Sequence, residues 1–530
     1  MPYSRRVRFF NTEGPVDPAD HYHLPPLERL ALKQIRRLVR RKKYFVLHAP
    51  RQTGKTSALL ALQDLLNREG DYRCVYANLE VAQAAREDVR AGMQAVLAEL
   101  EDWAAQAPGD DALPGLWSGV LETAGPHTAL KRALTRWSLS DSKPLVLLLD
   151  EVDSLVGDTL IALLRQLRSG YPNRPARFPQ SVVLCGVRDV RDYRIHSSAE
   201  KTVITGGSAF NIKARSFRLG DFTRDEVAAL LGQHTAESGQ EFTAGAVETV
   251  WEQTRGQPWL VNALAEEACE QTPDFRRPIT SAAVFEARDA LILRRDTHLD
   301  QLADKLQERR VRGVIEPLLE DSPAISGVPD DDLQYVRDLG LIGRWAPVEI
   351  ANPIYREVIP RALTWTTQET LRQETAWYVK GGRLDVAALL RAFQQFFREH
   401  SEHWLERFAY REAGPQLLLQ AFLQRVVNAG GRIEREYGQG RRRVDLLVIW
   451  GRGPDPRREQ RVVIECKVVH RGRERTIREG LRQTRAYLDV SGAEEAHLVV
   501  FDRRPGLLWE QKIFRKEKTA GGAPVTVWGM

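Results

Sequence analysis

The chain has 530 residues, 43% hydrophobic and 28% charged, with a formal net charge of +6 at neutral pH. That length excludes a single hydrophobic core and leads us to expect about three globular domains. No apolar run approaches the roughly 18 residues of a membrane span, and the start "MPYSRRVRFFNTEGP" lacks the apolar stretch and cleavage site of a secretory signal. Cys74, Cys185, Cys269 and Cys466 stand apart without CxxC spacing, which argues against a zinc or disulfide frame and for a cytoplasmic location.

Residues 1 to about 275 alternate apolar runs with helical patterns, the sign of an α/β domain. The strand candidates are "YFVLHAP", "CVYANLE", "PLVLLLDEVD" and "SVVLCGV". The stretch "YFVLHAPRQTGKTSALLAL" sets Ala49, Pro50, Arg51, Gln52, Thr53, Gly54, Lys55, Thr56 and Ser57 between a strand and a helix. Backbone N–H groups and a helix N-terminus placed this way cradle phosphates, so these residues are expected to bind ATP. Lys55 would reach the β- and γ-phosphates and Thr56 would hold Mg²⁺ (or Mn²⁺). Ala49 stands where the pattern has its first glycine. The strand "PLVLLLDEVDSL" ends in Asp150 and Glu151. Two adjacent carboxylates would repel one another as core residues. A nucleotide–metal site accounts for them, with Asp150 on Mg²⁺ through water and Glu151 polarising the attacking water.

These features resemble the AAA-related and STAND-type ATPases, especially the bacterial AAA-like group. The resemblance extends through "FNTEGP", "HYHLPPLERL", "SAFNI", "LGDFTRDEV" and "RGQPWLVNAL". It implies that Gly256-Gln257-Pro258 contacts adenine through Pro258, and that Arg188 in "CGVRDVRDYR" is a sensor of the nucleotide. Pro258 is equally suited to the first turn of a helix, and Arg188 to pairing with Asp189 or Asp192. Residues 223–365 read as mostly helical. Within them "DDLQYVRDLGLIGRWAPVEIANPIYREVIPRAL" suggests a winged helix. The expected domains are an ATPase core over 1–222, a helical lid and winged helix over 223–365, and a third domain over 366–530.

The third domain holds most of the positive charge. Residues 431–530 carry 22 Lys/Arg against 14 Asp/Glu, a balance of 22 − 14 = +8, and clusters such as "GRRRVD" suit a polyanion. In the apolar strand "RVVIECKVVH", period-two alternation sets Glu465 and Lys467 on one face. Mutual neutralisation of such a buried pair would at best break even against apolar residues. Twenty residues earlier "GRRRVDLLVIW" places Asp445 in another apolar strand, across the loop "WGRGPDPRREQ". Asp445, Glu465 and Lys467 resemble the trio of the PD-(D/E)xK nucleases, and "REGLRQTRAYLDV" places Gln483 and Tyr487 like the QxxxY motif of RecB-like branches. The resemblance implies an αβββαβ fold, Asp445 and Glu465 as Mg²⁺ ligands, Glu412 as an acidic residue on the first helix, and Lys467 orienting the nucleophile. Glu412 is equally explained as a charge at a helix N-terminus, and Val444 replaces the proline of the motif.

Together these readings describe an ATPase controlling a Mg²⁺-dependent nuclease that acts on nucleic acid, with DNA expected and self-association open, in mobile-element or anti-phage biology. The rival readings are a nucleotide-switched DNA-binding regulator and a DNA-translocating ATPase.

Overall fold

The computed structural model describes the chain except residues 1–7, 106–116, 118, 190–193, 198–201, 295–301, 303, 319–326, 360–361, 363–377, 406–417, 421, 424–426, 428–430, 438–443, 452–458, 470–471, 503, 505–506 and 521. It divides into two compact units, Met1–Arg294 with Leu333–Ala346, and Arg295–Asp332 with Pro347–Met530. Among the described residues no helix is long and apolar enough to cross a membrane.

The first unit begins with a short parallel pair, β1 (Phe9–Phe10) and β2 (His21–Tyr22), followed by α1 (Leu32–Arg40). Its core is α/β. The strands β3 (Tyr44–His48), β4 (Arg73–Asn78), β5 (Leu145–Asp150), β6 (Ser181–Gly186) and β7 (Lys213–Arg218) form one parallel sheet in the order β4-β5-β6-β3-β7. The helices α2 (Lys55–Glu69), α3 (Val89–Ala105), α4 (Ala129–Leu139) and α5 (Gly157–Gly170) cover it. Phe45, Leu47, Val146 and Leu148 pack with Ile35 and Val39 of α1 and Leu59 and Leu62 of α2. The alternate residues Val46, Leu145, Leu147 and Leu149 pack with Val96, Leu134 and Leu163 of α3, α4 and α5. A parallel strand buried on both faces must be apolar throughout, which is why "LVLLL" reads as an unbroken run. The strand with Asp150 is separated by β6 from the strand that leads into the phosphate loop, so both strand ends open onto one crevice at the carboxyl edge.

A helical stretch follows: α6 (Arg224–Ser238), α7 (Ala244–Thr254), α8 (Pro258–Gln271), α9 (Ser281–Arg294) and, later, α10 (Asp330–Asp338). The start of α6 is a capping box in which Thr223 accepts from the Glu226 N–H and Glu226 accepts from the Thr223 N–H.

In the second unit α11 (Val386–Leu405) precedes β8 (Gly431–Tyr437), β9 (Val444–Trp450) and β10 (Gln460–Val468). Then come α12 (Arg473–Ser491), β11 (Glu495–Phe501), β12 (Phe514–Ala520) and β13 (Ala523–Gly529). They form one six-stranded sheet in the order β8-β9-β10-β11-β13-β12. β8, β9 and β10 pair antiparallel, and α12 crosses over to β11, which runs parallel to β10. Ile464, Cys466, Leu446 and Val448 pack on one face with Leu390 and Phe393 of α11. Leu447, Ile449, Val463 and Val469 pack on the other with Ile477, Leu481 and Tyr487 of α12.

The close seat of α12 on the sheet depends on Gly480, where an added Cβ would lie 2.5 Å from one Leu498 methyl and 2.8 Å from the other. In an exposed helix a larger residue would raise stability. Here overpacking dominates, so Gly480→Val is expected to cost about 1–3 kcal/mol in urea melts of the whole chain. A midpoint at or above wild type would show that α12 does not press on β11.

Candidate functional site

The loop between β3 and α2 turns through two left-handed residues, Gln52 at φ 54° and Gly54 at φ 85°. Alternation of this kind turns successive N–H groups toward one concavity, a nest for an anion. Thr53 is fully buried, and its hydroxyl donates to the Pro50 carbonyl at 2.8 Å. Lys55 is 4% exposed, and its ammonium donates to that same carbonyl at 3.1 Å. A buried cation held by a neutral acceptor favours an anion beside it.

The negative half of the crevice is the end of β5. Asp150 is fully buried and accepts from the Thr56 hydroxyl at 2.8 Å, the Tyr76 hydroxyl at 3.2 Å and the Glu151 N–H at 3.0 Å. Glu151 sits at φ 50°, uncommon for a residue with a side chain. Burial raises its carboxyl above the ordinary range; Lys55 opposes this, and Asp153 and Asp150 add to it. Asp153 accepts from the Val187 N–H at 3.1 Å and so ties β6 to this turn. The nest and Lys55 could hold phosphates, and Thr56 and Asp150 are oxygen donors that could hold a divalent cation.

The flanks bring other segments to the loop. Ser57 accepts from the Val16 N–H at 3.0 Å, and Trp259 donates to the Thr12 carbonyl at 2.9 Å, so the N-terminal strap ties to both α2 and α8. Pro258 is the first residue of α8. Gln257 caps that helix by accepting from Leu260 N–H at 2.6 Å, while its Nε2 is buried without a hydrogen-bond partner among the described residues. Arg188 lies beside α10: its Nε is 3.6 Å from the buried Asp338 carboxylate, and its guanidinium is 4.8 Å from the Tyr335 ring centre. Asp189 takes a different partner, Lys213, at 2.6 Å. Asp338 also accepts from Gln334 at 2.9 Å, and Arg218 is 4.0 Å away. Just beyond, Gly340 at φ 79° brings the chain so close to Pro50 that a Cβ would lie 2.8 Å from its ring. Tyr76 and Asp338 contact the candidate residues Asp150 and Arg188, and motif reading passes over both. The signal for Tyr76 was a hydroxyl-bearing ring inside an apolar parallel strand.

In the second unit the register Leu446↔Ile464 sets Asp445 across from Glu465. Asp445 is 7% exposed and Glu465 1%. Asp445 accepts from the Cys466 N–H at 2.7 Å, and Glu465 pairs with Lys467 at 2.7 Å. Burial alone would lower the Lys467 pKa, but Glu465 and Asp445 outweigh it and hold it above the ordinary range. By alternation all three face α12, the helix that carries Gln483 and Tyr487. Tyr487 lies in the core beneath that helix, and Gln483 Oε1 is buried without a hydrogen-bond partner among the described residues. The two facing carboxylates are oxygen donors of the kind Mg²⁺ takes. Among the described residues no group of three or more metal-ligating side chains gathers. Glu412 lies outside the described residues.

The sequence profile of the family described as "AAA domain" matches residues 37–193, which hold the phosphate loop, Asp150 and Glu151. The chain therefore contains an AAA-type P-loop ATPase domain. No curated protein matches it. Among solved structures it is similar to a Walker-type ATPase of Pyrococcus abyssi, at 14% identity and TM-score 0.45 over 66% of this chain and 99% of that one. Cdc6p of Pyrobaculum aerophilum aligns at 16% identity and TM-score 0.34, over 65% of this chain and 94% of its own. The RuvB Holliday junction branch migration motor of Thermotoga maritima aligns at 14% and 0.32, over 61% and 90%.

The raised Glu151 carboxyl gives a signed pH effect. Below its ordinary value of 4.5 the carboxyl is protonated in folded and unfolded chains alike and costs nothing. As the pH rises through the raised folded value, the folded state must bury a charge that the unfolded state exposes, and stability is lost. Glu151→Gln is therefore expected to melt above wild type at about pH 7.5 without nucleotide, with the gap closing at about pH 4. A gap that is constant with pH would show that Glu151 is not desolvated.

Proposed function

We propose that the ATPase domain governs a Mg²⁺-dependent nuclease in the second unit, which cuts DNA in the cytoplasm. The observation that carries the nuclease reading is the pair of buried carboxylates facing one another on β9 and β10, with Lys467 two residues along on the same face. Asp445 and Glu465 would hold the metal, which lowers the pKa of a bound water and shields charge on the phosphate. Lys467 would donate to the phosphate oxygen or the attacking water, while Gln483 would orient the nucleic-acid strand from α12 and Tyr487, packed beneath that helix, would hold it on the sheet. The helix order around the sheet and the +8 balance of residues 431–530 support the same reading. In the ATPase domain Lys55 and the loop N–H groups would bind the β- and γ-phosphates, and Glu151 would orient the water. Arg188 and Pro258 would sense the phosphate and contact the base. Such gating suits STAND-type switching through a helical lid and winged helix over 223–365, with self-association as a further element. It requires that ATP and ADP bind two states of the chain with different free energies.

A second reading has its own support. The 2.7 Å Glu465–Lys467 pair is what a self-neutralised structural pair looks like, and it suits a domain that binds DNA without cutting it. One assay separates them. Wild type, Asp445→Ala and Glu465→Ala are incubated with linear and circular DNA and with RNA, in Mg²⁺ or Mn²⁺, with ATP, ADP or no nucleotide. Loss of cleavage in both variants, with ATP hydrolysis retained, is expected. DNA binding without cleavage by wild type would favour the binding module. Cleavage that persists in both variants would remove the site.

The nucleotide half has a separate test. Lys55→Ala is expected to weaken ATP binding sharply, and Glu151→Gln to keep binding and lose turnover. ATP hydrolysis by Lys55→Ala at the wild-type rate would refute the phosphate assignment. With Glu151→Gln held in ATP, the nuclease is expected to stay in one regime; equal cleavage rates in ATP, ADP and no nucleotide would end the coupling proposal alone.

A further inference from the structure

Arg29 lies in the Pro-rich stretch before α1, apart from the phosphate motif in sequence, yet its guanidinium ends on the phosphate loop. Nη1 donates to the Thr53 carbonyl at 2.9 Å, and Nη2 donates to the Gly220 carbonyl just past β7 at 2.6 Å. The plane lies 4.6 Å from the Phe222 ring centre. Burial lowers its pKa to about 10, against Glu226 and Asp221, which raise it. A desolvated guanidinium spanning two neutral carbonyls is costly to keep unless its geometry serves something.

The peptide plane shows what that is. The Thr53 carbonyl and the Gly54 N–H belong to one planar trans unit, so they point in opposite directions. Arg29 fixes the direction of the Thr53 carbonyl, and with it the opposite direction of the Gly54 N–H, in the loop whose left-handed residues Gln52 and Gly54 form the nest. Gly54 makes the approach possible: at φ 85° a Cβ there would lie 3.0 Å from Arg29 Nη1. Arg29 also joins two ends of the nucleotide site. Phe222, beneath the guanidinium, donates its N–H to the Gly256 carbonyl at 2.8 Å, and a Cβ on Gly256 would come 1.9 Å from the Phe222 carbonyl. Phosphate loop, Arg29, Phe222 and the Gly256-Gln257-Pro258 turn thus form one connected run of contacts.

We infer that Arg29 is a positioning residue for ATP: it fixes the Thr53–Gly54 peptide so that the Gly54 N–H is presented to the β- and γ-phosphates. The inference rests on the phosphate-site reading and deepens it. Lysine keeps the charge but loses the planar fork whose two nitrogens, Nη1 and Nη2, each take one of the carbonyls. In calorimetric titrations Arg29→Lys is expected to bind ATP and ADP about tenfold or more weakly, the scale of one lost charge-assisted hydrogen bond. AMP, which lacks the phosphates concerned, should bind within about twofold of wild type, because a positioning role acts on the loop and not on the fold. ATP affinity unchanged in Arg29→Lys, or AMP weakened by the same factor as ATP, would overturn the inference. If the Arg29 variants do not fold, Phe222→Leu removes only the ring beneath the guanidinium and is expected to weaken ATP more than AMP; equal effects would overturn the inference too. Lys55→Ala in the same titration separates the two ideas. ATP binding that survives Lys55→Ala defeats the phosphate-site reading. ATP binding lost in Lys55→Ala but kept in Arg29→Lys defeats the Arg29 inference alone.

Discussion

The first unit depends on how the fully buried carboxylate of Asp150 is compensated. An ionised carboxylate out of water costs several kcal/mol, on the order of its lost hydration, unless donors replace the water. Thr56, Tyr76 and the Glu151 N–H supply them, from α2, from β4 and from the turn itself. Because the donors come from three elements, satisfying one carboxylate also sets α2 against the sheet. Lys55 is then buried next to the opposite sign of charge, with the Pro50 carbonyl accepting from its ammonium. A positive loop and a negative strand end, facing across one crevice, are what a nucleotide triphosphate and its cation fit.

The contacts around Arg188 tie the end of β6 to α10. Its guanidinium lies against Asp338 and Tyr335 of α10, and Arg218 approaches the same carboxylate. Gly340 presses on Pro50 of the phosphate loop. The segment after α10 thus touches the loop and engages the arginine proposed to sense its contents.

The second unit handles buried charge differently. Glu465 and Lys467 compensate each other within one strand, and Asp445 takes a backbone N–H of the neighbouring strand. No special backbone conformation is required, because strand pairing alone brings the trio together. The phosphate loop by contrast needs left-handed residues at 52 and 54, and so is confined to a turn between strand and helix.

Much of this was legible in the sequence because the physics is local. Burial on both faces makes β5 an unbroken apolar run, so the charged Asp150-Glu151 end stands out. Period-two alternation puts Glu465 and Lys467 on one face, and helix spacing puts Gln483 and Tyr487 together on α12. What the sequence could not supply were contacts between residues far apart in the chain. Tyr76 reaches Asp150 only because β4 and β5 are neighbours in the sheet. Arg29 reaches Thr53, and Asp338 reaches Arg188, across separations that no spacing rule encodes. The strand pattern assigned each charge to a face; which partner it met there was decided by the register and order of the strands and by the packing of helices against them.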